Sequence, residues 1–136
     1  MNYLEPSVEE NEINKISVLG LAHIGDCVYE LLTRTYLCTN EHLSAHDLHK
    51  TTVSIVNAPF QAEASRKILP ELTDEEIAVF KRGRNAKVNS VPSRATVGEY
   101  HAATGLEALF GWLYLKGLRD RAEEIFSYGF RSGGDA

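Results

Sequence analysis

The sequence predicts an all-α fold, a single bundle of about six helices. Apolar residues recur at helical spacing through two long stretches, and capping residues punctuate the segments between them. No stretch sustains the period-two alternation of a strand or carries a hairpin turn signal. The 136 residues, 43% hydrophobic and 24% charged, suffice for one core and exclude a disordered chain. One domain is expected over residues 1–136, with flexible ends at 1–14 and 131–136.

From Ile16 to Leu37 the apolar positions Val18, Leu21, Ala22, Gly25, Val28, Tyr29, Leu32 and Tyr36 form an amphipathic stripe, closed by Thr39-Asn40. Ser44 reads as the N-cap of a short helix to about Val53, with Asp47 three residues on. Another helix fits Asn57 to Leu69, with Pro59 tolerated in its first turn and Pro70 ending it. Thr73 and Glu76 have the spacing of a capping box, and Leu72 and Ile77 that of the matching hydrophobic staple. That helix is expected to end near Arg82-Gly83, with the glycine as a left-handed C-cap. Asn85 to Ser93, containing Pro92, reads as a loop. A long helix follows from about Val97 to Lys116, its stripe formed by Ala103, Leu106, Phe110, Leu113 and Tyr114 and widened by Leu109 and Trp112. Gly117 interrupts it, and Leu118 to Phe130 makes the last helix.

No stretch approaches the roughly 20 apolar residues of a membrane span, and the acidic N-terminus has no apolar run of a secretory signal. Cys27 and Cys38 make neither a disulfide framework nor a zinc pattern; they read as small core residues of a cytoplasmic protein. His42, His46 and His49 lack a metal motif and read as solvated surface, while His23 and His101 are given no role.

The net charge of −5 is unevenly spread. Lys81, Arg82, Arg84, Lys87 and Arg94 form a basic segment with no acid inside it, and the rest of the chain carries 9 basic and 19 acidic residues. Capping of a helix C-terminus explains Lys81 and Arg82 but not the cations beyond Gly83; the alternative is a phosphate-binding surface.

Two acids fall where acids are costly. Glu107 has Ala103, Phe110 and Tyr114 on its helical face, and Asp26 follows Gly25 on a stripe with Leu19 and Ala22. If Gly25 and Gly111 face one another, the two long helices approach closely and bring the carboxylates together. A magnesium ion would then offset their charge, since it takes oxygen ligands from one or two carboxylates. The bland alternatives are a buried arginine beside Glu107 or a rotated helix that exposes it. Glu30, one turn after Asp26, reads as a structural acceptor.

Gly20 to Leu31, with Gly25-Asp26-Cys27-Val28-Tyr29-Glu30 at its heart, resembles the signature helix of the ribonuclease III family, in particular its short Mini-ribonuclease III branch. Lys81-Arg82-Gly83-Arg84-Asn85-Ala86-Lys87 is similar to that branch's basic motif, Val91-Pro92 to a pair it carries, and Gly105 to Leu115 to the second signature helix. Together these matches run from about Ile16 to Phe126.

The resemblance implies the ribonuclease III catalytic-domain fold and a homodimeric, Mg²⁺-dependent endoribonuclease acting on double-stranded RNA. Its products would be a 5′-phosphate and a 3′-hydroxyl. It assigns catalysis and metal binding to Asp26 and Glu107, and RNA contact to Lys81, Arg82, Arg84, Asn85, Lys87 and Arg94. Full-length relatives carry two further acids; Ala22 and Thr104 stand there, as they depart in the short branch, leaving one or two metals open. No double-stranded-RNA-binding domain is expected. Phe110 and Trp112 are candidates for the dimer contact, with plain core the alternative. The implied substrate is the precursor of the large-subunit (23S) ribosomal RNA, within an assembling particle. The competing class is a non-catalytic module of the same fold that binds structured RNA or ribosomes.

Overall fold

The computed structural model describes residues 1–87, 91 and 94–131. Among them every regular element is helical: α1 (Glu10–Ile13), α2 (Val18–Asn40), α3 (Ala45–Ile55), α4 (Ala58–Ile68), α5 (Asp74–Arg84), α6 (Val97–Lys116) and α7 (Arg119–Tyr128), with a 3₁₀ turn at Leu69–Glu71. None is long and apolar enough to cross a membrane. Parts of the expected 85–93 loop and C-terminal tail, including Pro92 and residues 132–136, lie outside the described residues.

Local chemistry sets most of the boundaries. Ser17, Ser44, Asn57, Thr73 and Thr96 each accept a backbone N–H in the first turn of the helix they cap. Thr73/Glu76 and Thr96/Glu99 form complete capping boxes. Gly117, at φ 80°, closes α6. The short α1 was not anticipated. Its Ile13 is 1% exposed, Val8 N–H donates to the Leu115 carbonyl, and Lys116 reaches Glu10 at 3.0 Å. Tertiary contact thus anchors a segment whose composition is polar.

The core forms around α6, which is buried nearly all round: from Ala103 to Leu115 only Glu107 and Tyr114 retain appreciable exposure. α2, α4, α5 and α7 pack about it. Phe110 and Trp112 are 0% and 2% exposed, so both belong to this core and neither offers a dimer contact. The cysteines depart from expectation in the opposite sense. The buried stripe of α2 is Leu21, Ala22, Gly25, Tyr29, Thr33 and Leu37; Cys27 and Cys38 fall off it and are exposed. Their apolar neighbours Leu31 and Tyr36 are exposed as well, at 60% and 45%.

One buried ion pair ties α7 to α5. The Arg121 guanidinium spans Glu76, Nε to Oε2 at 2.8 Å and Nη2 to Oε1 at 2.7 Å, and also donates to the Glu71 carbonyl at 2.9 Å. That hydrogen bonding holds the Glu76 carboxyl below its usual range.

Candidate active site

The catalytic candidates meet where α2 crosses α6. A Cβ on Gly25 would overlap the Glu107 carbonyl and stand 2.8 Å from the Gly111 nitrogen; one on Gly111 would overlap the Leu21 carbonyl. Backbone therefore touches backbone, which only glycine permits at both positions. The matched pairs, Leu21 with Gly111 and Gly25 with Glu107, show that the helices run antiparallel.

This crossing puts Asp26 and Glu107 side by side. Asp26 is exposed, while Glu107 is half-buried. Burial first, then a hydrogen-bonding contact with Asp26 and its charge, push the Glu107 carboxyl up from 4.5 to about 9. Two carboxyls in hydrogen-bonding contact favour sharing a proton or binding a cation. Neither bland alternative holds: no ion pair reaches Glu107 among the described residues, and the helix is not rotated outward.

Among the described residues the surroundings add no third carboxylate. Ala22 is buried, and the buried Thr104 hydroxyl donates to the Tyr100 carbonyl at 2.9 Å. Glu30 pairs with Arg34 at 3.0 Å. Among the described residues, no three His, Cys, Asp or Glu side chains cluster to hold a metal. His42, His46 and His49 are exposed, as is His23. His101 is half-buried, and its Nδ1 is enclosed without a hydrogen-bond partner.

The basic segment comes to the same level of the bundle by a route the sequence reading missed. Gly83 lies inside α5, and Asn85, at φ −91°, is the C-cap. A Cβ on Gly83 would meet the Ala108 Cβ and Gly105 Cα at 2.8 Å and the Thr104 carbonyl at 3.0 Å. The glycine thus serves close approach to the α6 turns that flank Glu107, not a left-handed cap. Lys81, Arg82, Asn85, Lys87 and Arg94 are exposed, and Arg84 lies over the Phe80 ring, 5.9 Å from its centroid. None of these cations forms an ion pair among the described residues; of the nine cations elsewhere, Lys15, Arg34, Arg66, Lys116, Arg121 and Arg131 do and Lys50, Lys67 and Arg119 do not.

An all-helical core with a carboxylate pair at its main crossing and unpaired cations alongside has the character of a nuclease domain. The family model described as Ribonuclease III domain matches residues 19–118. The chain is 40% identical to "Mini-ribonuclease 3" of Clostridium tetani over 90% of its length and 82% of that protein's. It is also 40% identical to the Thermoanaerobacter protein of the same name, over 92% and 89%. A crystal structure of the Fusobacterium nucleatum protein FN1578 superposes with a TM-score of 0.77 at 34% identity, covering 85% of this chain and 93% of that one. The chain belongs to the ribonuclease III family, in its Mini-ribonuclease 3 branch.

Proposed function

We propose that this chain is a Mg²⁺-dependent endoribonuclease that hydrolyses double-stranded RNA, with Asp26 and Glu107 as its metal-binding and catalytic residues. The observation that carries the reading is the Asp26–Glu107 pair, brought together at the α2–α6 crossing with no ion pair to a cation among the described residues. Two partly desolvated carboxylates form an all-oxygen donor set that suits a hard divalent ion. Such an ion, when bound, lowers the pKa of a bound water and offsets charge on a phosphodiester. Asp26, being exposed, meets solvent and substrate; Glu107, half-buried against the core, fixes the other side of the site. To hold such an ion, Glu107 would have to release the proton that its burial favours. Water attack with departure of the 3′-oxygen leaves a 5′-phosphate and a 3′-hydroxyl.

Lys81, Arg82, Arg84, Lys87 and Arg94, with Asn85, supply contacts to the duplex backbone, and the end of α5 that carries the first three packs level with Glu107. Recognition is then mainly by shape, because the deep groove of duplex RNA is poorly readable. A homodimer gives one site per strand. Its support is an apolar groove of about 860 Å³ along the outer face of α2, lined by Ile24, Cys27, Val28 and Leu31 opposite Tyr3 and Leu4. The natural substrate we infer from the family is the large-subunit ribosomal RNA precursor, matured in the cytoplasm on an assembling particle. The exposed thiols of Cys27 and Cys38 suit that reducing compartment.

Cleavage of a long RNA duplex with Mg²⁺ tests the reading. Wild type should cut, and Asp26→Asn and an EDTA control should not. An Asp26→Asn protein that cuts like wild type would refute the assignment, and a folded wild type that binds duplex without cutting would favour a non-catalytic RNA-binding module.

A further inference from the structure

Tyr29 continues the stripe that packs α2 on α6, where Leu21, Gly25, Tyr29, Thr33 and Leu37 follow at every fourth position; it is 2% exposed. Helical side chains lean toward their own N-terminus. In this antiparallel pair Glu107 therefore leans toward the Ala103 turn, which is Tyr29's level, and Tyr29 leans back toward Gly25, which is Glu107's level. The two side chains converge. Edge contacts with Phe110 and Phe126, each at 5.5 Å between ring centroids, fix the Tyr29 ring there. Burial first, and then the Glu107 charge, hold the phenol above its usual range.

A phenylalanine would fill this space equally well, so the hydroxyl calls for a reason of its own. Buried tyrosine hydroxyls normally find a partner. The Tyr29 backbone carbonyl accepts from Thr33 Oγ1 at 2.9 Å; among the described residues no protein group bonds the hydroxyl, and it is not sealed from solvent, so its partner is water.

We propose that Tyr29 is a positioning residue of the metal site, its hydroxyl donating through one bridging water to the ionised Glu107 carboxylate and turning it toward Asp26. The proposal rests on Asp26 and Glu107 being the metal ligands. The phenol keeps its proton and donates to the water; the water occupies one lone pair of Glu107 and would leave another for the ion, as outer-shell partners of metal-binding carboxylates do.

The test is Mn²⁺ titration of the RNA-free protein, as wild type, Tyr29→Phe, Glu107→Gln and the double variant, with RNA cleavage kinetics alongside. Tyr29→Phe should weaken Mn²⁺ binding about 10-fold, leave the KM for RNA unchanged and regain wild-type turnover at saturating metal. It should add nothing in the Glu107→Gln background. A melt in EDTA close to that of wild type establishes that the core is intact. Wild-type Mn²⁺ affinity in Tyr29→Phe, or an equal loss in the Glu107→Gln background, overturns the proposal by reducing the hydroxyl to packing. Unchanged affinity in Glu107→Gln alone sinks the metal-ligand reading, and the proposal with it.

Discussion

Glu107→Gln should stabilise the metal-free protein. The Glu107 carboxyl is raised from 4.5 to about 9, chiefly by burial and secondarily by Asp26. The native state therefore holds a proton that the unfolded chain has already released, and stability falls as pH rises from about 4.5 toward 9. At pH 7.5 the gap is about three pH units, or ~4 kcal/mol at 1.36 kcal/mol per unit. The carboxyl's remaining contact with solvent screens part of this, leaving ~2 kcal/mol. Glutamine keeps the shape, carries no charge and donates to Asp26, so it should recover that amount. For a chain of this size the gain is about 6 °C in Tm. Calorimetry in EDTA between pH 5 and 9 reads it: the variant's advantage should be small at pH 5 and grow steadily with pH. Added Mg²⁺ should close the gap by stabilising wild type alone. An advantage that is absent at pH 8, or that does not change with pH, would refute the electrostatic account of the site.

Gly25→Ala should lower cleavage by about 100-fold through displacement of the carboxylates, and cost about 2 kcal/mol from overpacking; Tm and kcat read the two effects. Arg121→Met leaves the Glu76 charge buried and should cost about 3 kcal/mol at neutral pH in a denaturant melt. Because Glu76 is held below its usual range, that loss should shrink as pH falls through its folded value, below 4.5. Lys81→Ala with Lys87→Ala should reduce the salt slope of duplex binding by about two, one per lost phosphate contact, with kcat at saturating RNA unchanged.

The helices capped by Thr73 and Ser44 were legible because caps act within a few residues. The span of α6 was legible because its ends coincide with changes in composition. The meeting of Asp26 and Glu107, 81 residues apart, was readable as a condition on two glycines, and the crossing fulfils that condition. What sequence reading missed is tertiary in origin. α1 is held by α6 rather than by its own propensity, and Gly83 serves a neighbouring helix rather than its own end. Cys27 and Cys38 looked like core because the apolar residues of α2 cover more than one face. That surplus has a purpose if the outer face of α2 meets a second copy. The role of Tyr29 was hidden for a related reason: on a buried stripe, a tyrosine reads as one more aromatic.

The contact of main chain with main chain at Gly25 and Gly111 also bears on how this protein can change. The spacing of its two acids is set by backbone atoms, not by the fit of any particular leucine or phenylalanine. Tyr29 aside, interior positions away from the crossing can therefore vary without moving the two carboxylates apart. Inherited variation is expected to spare these two residues without side chains as strictly as the carboxylates they bring together, while most of the core tolerates change.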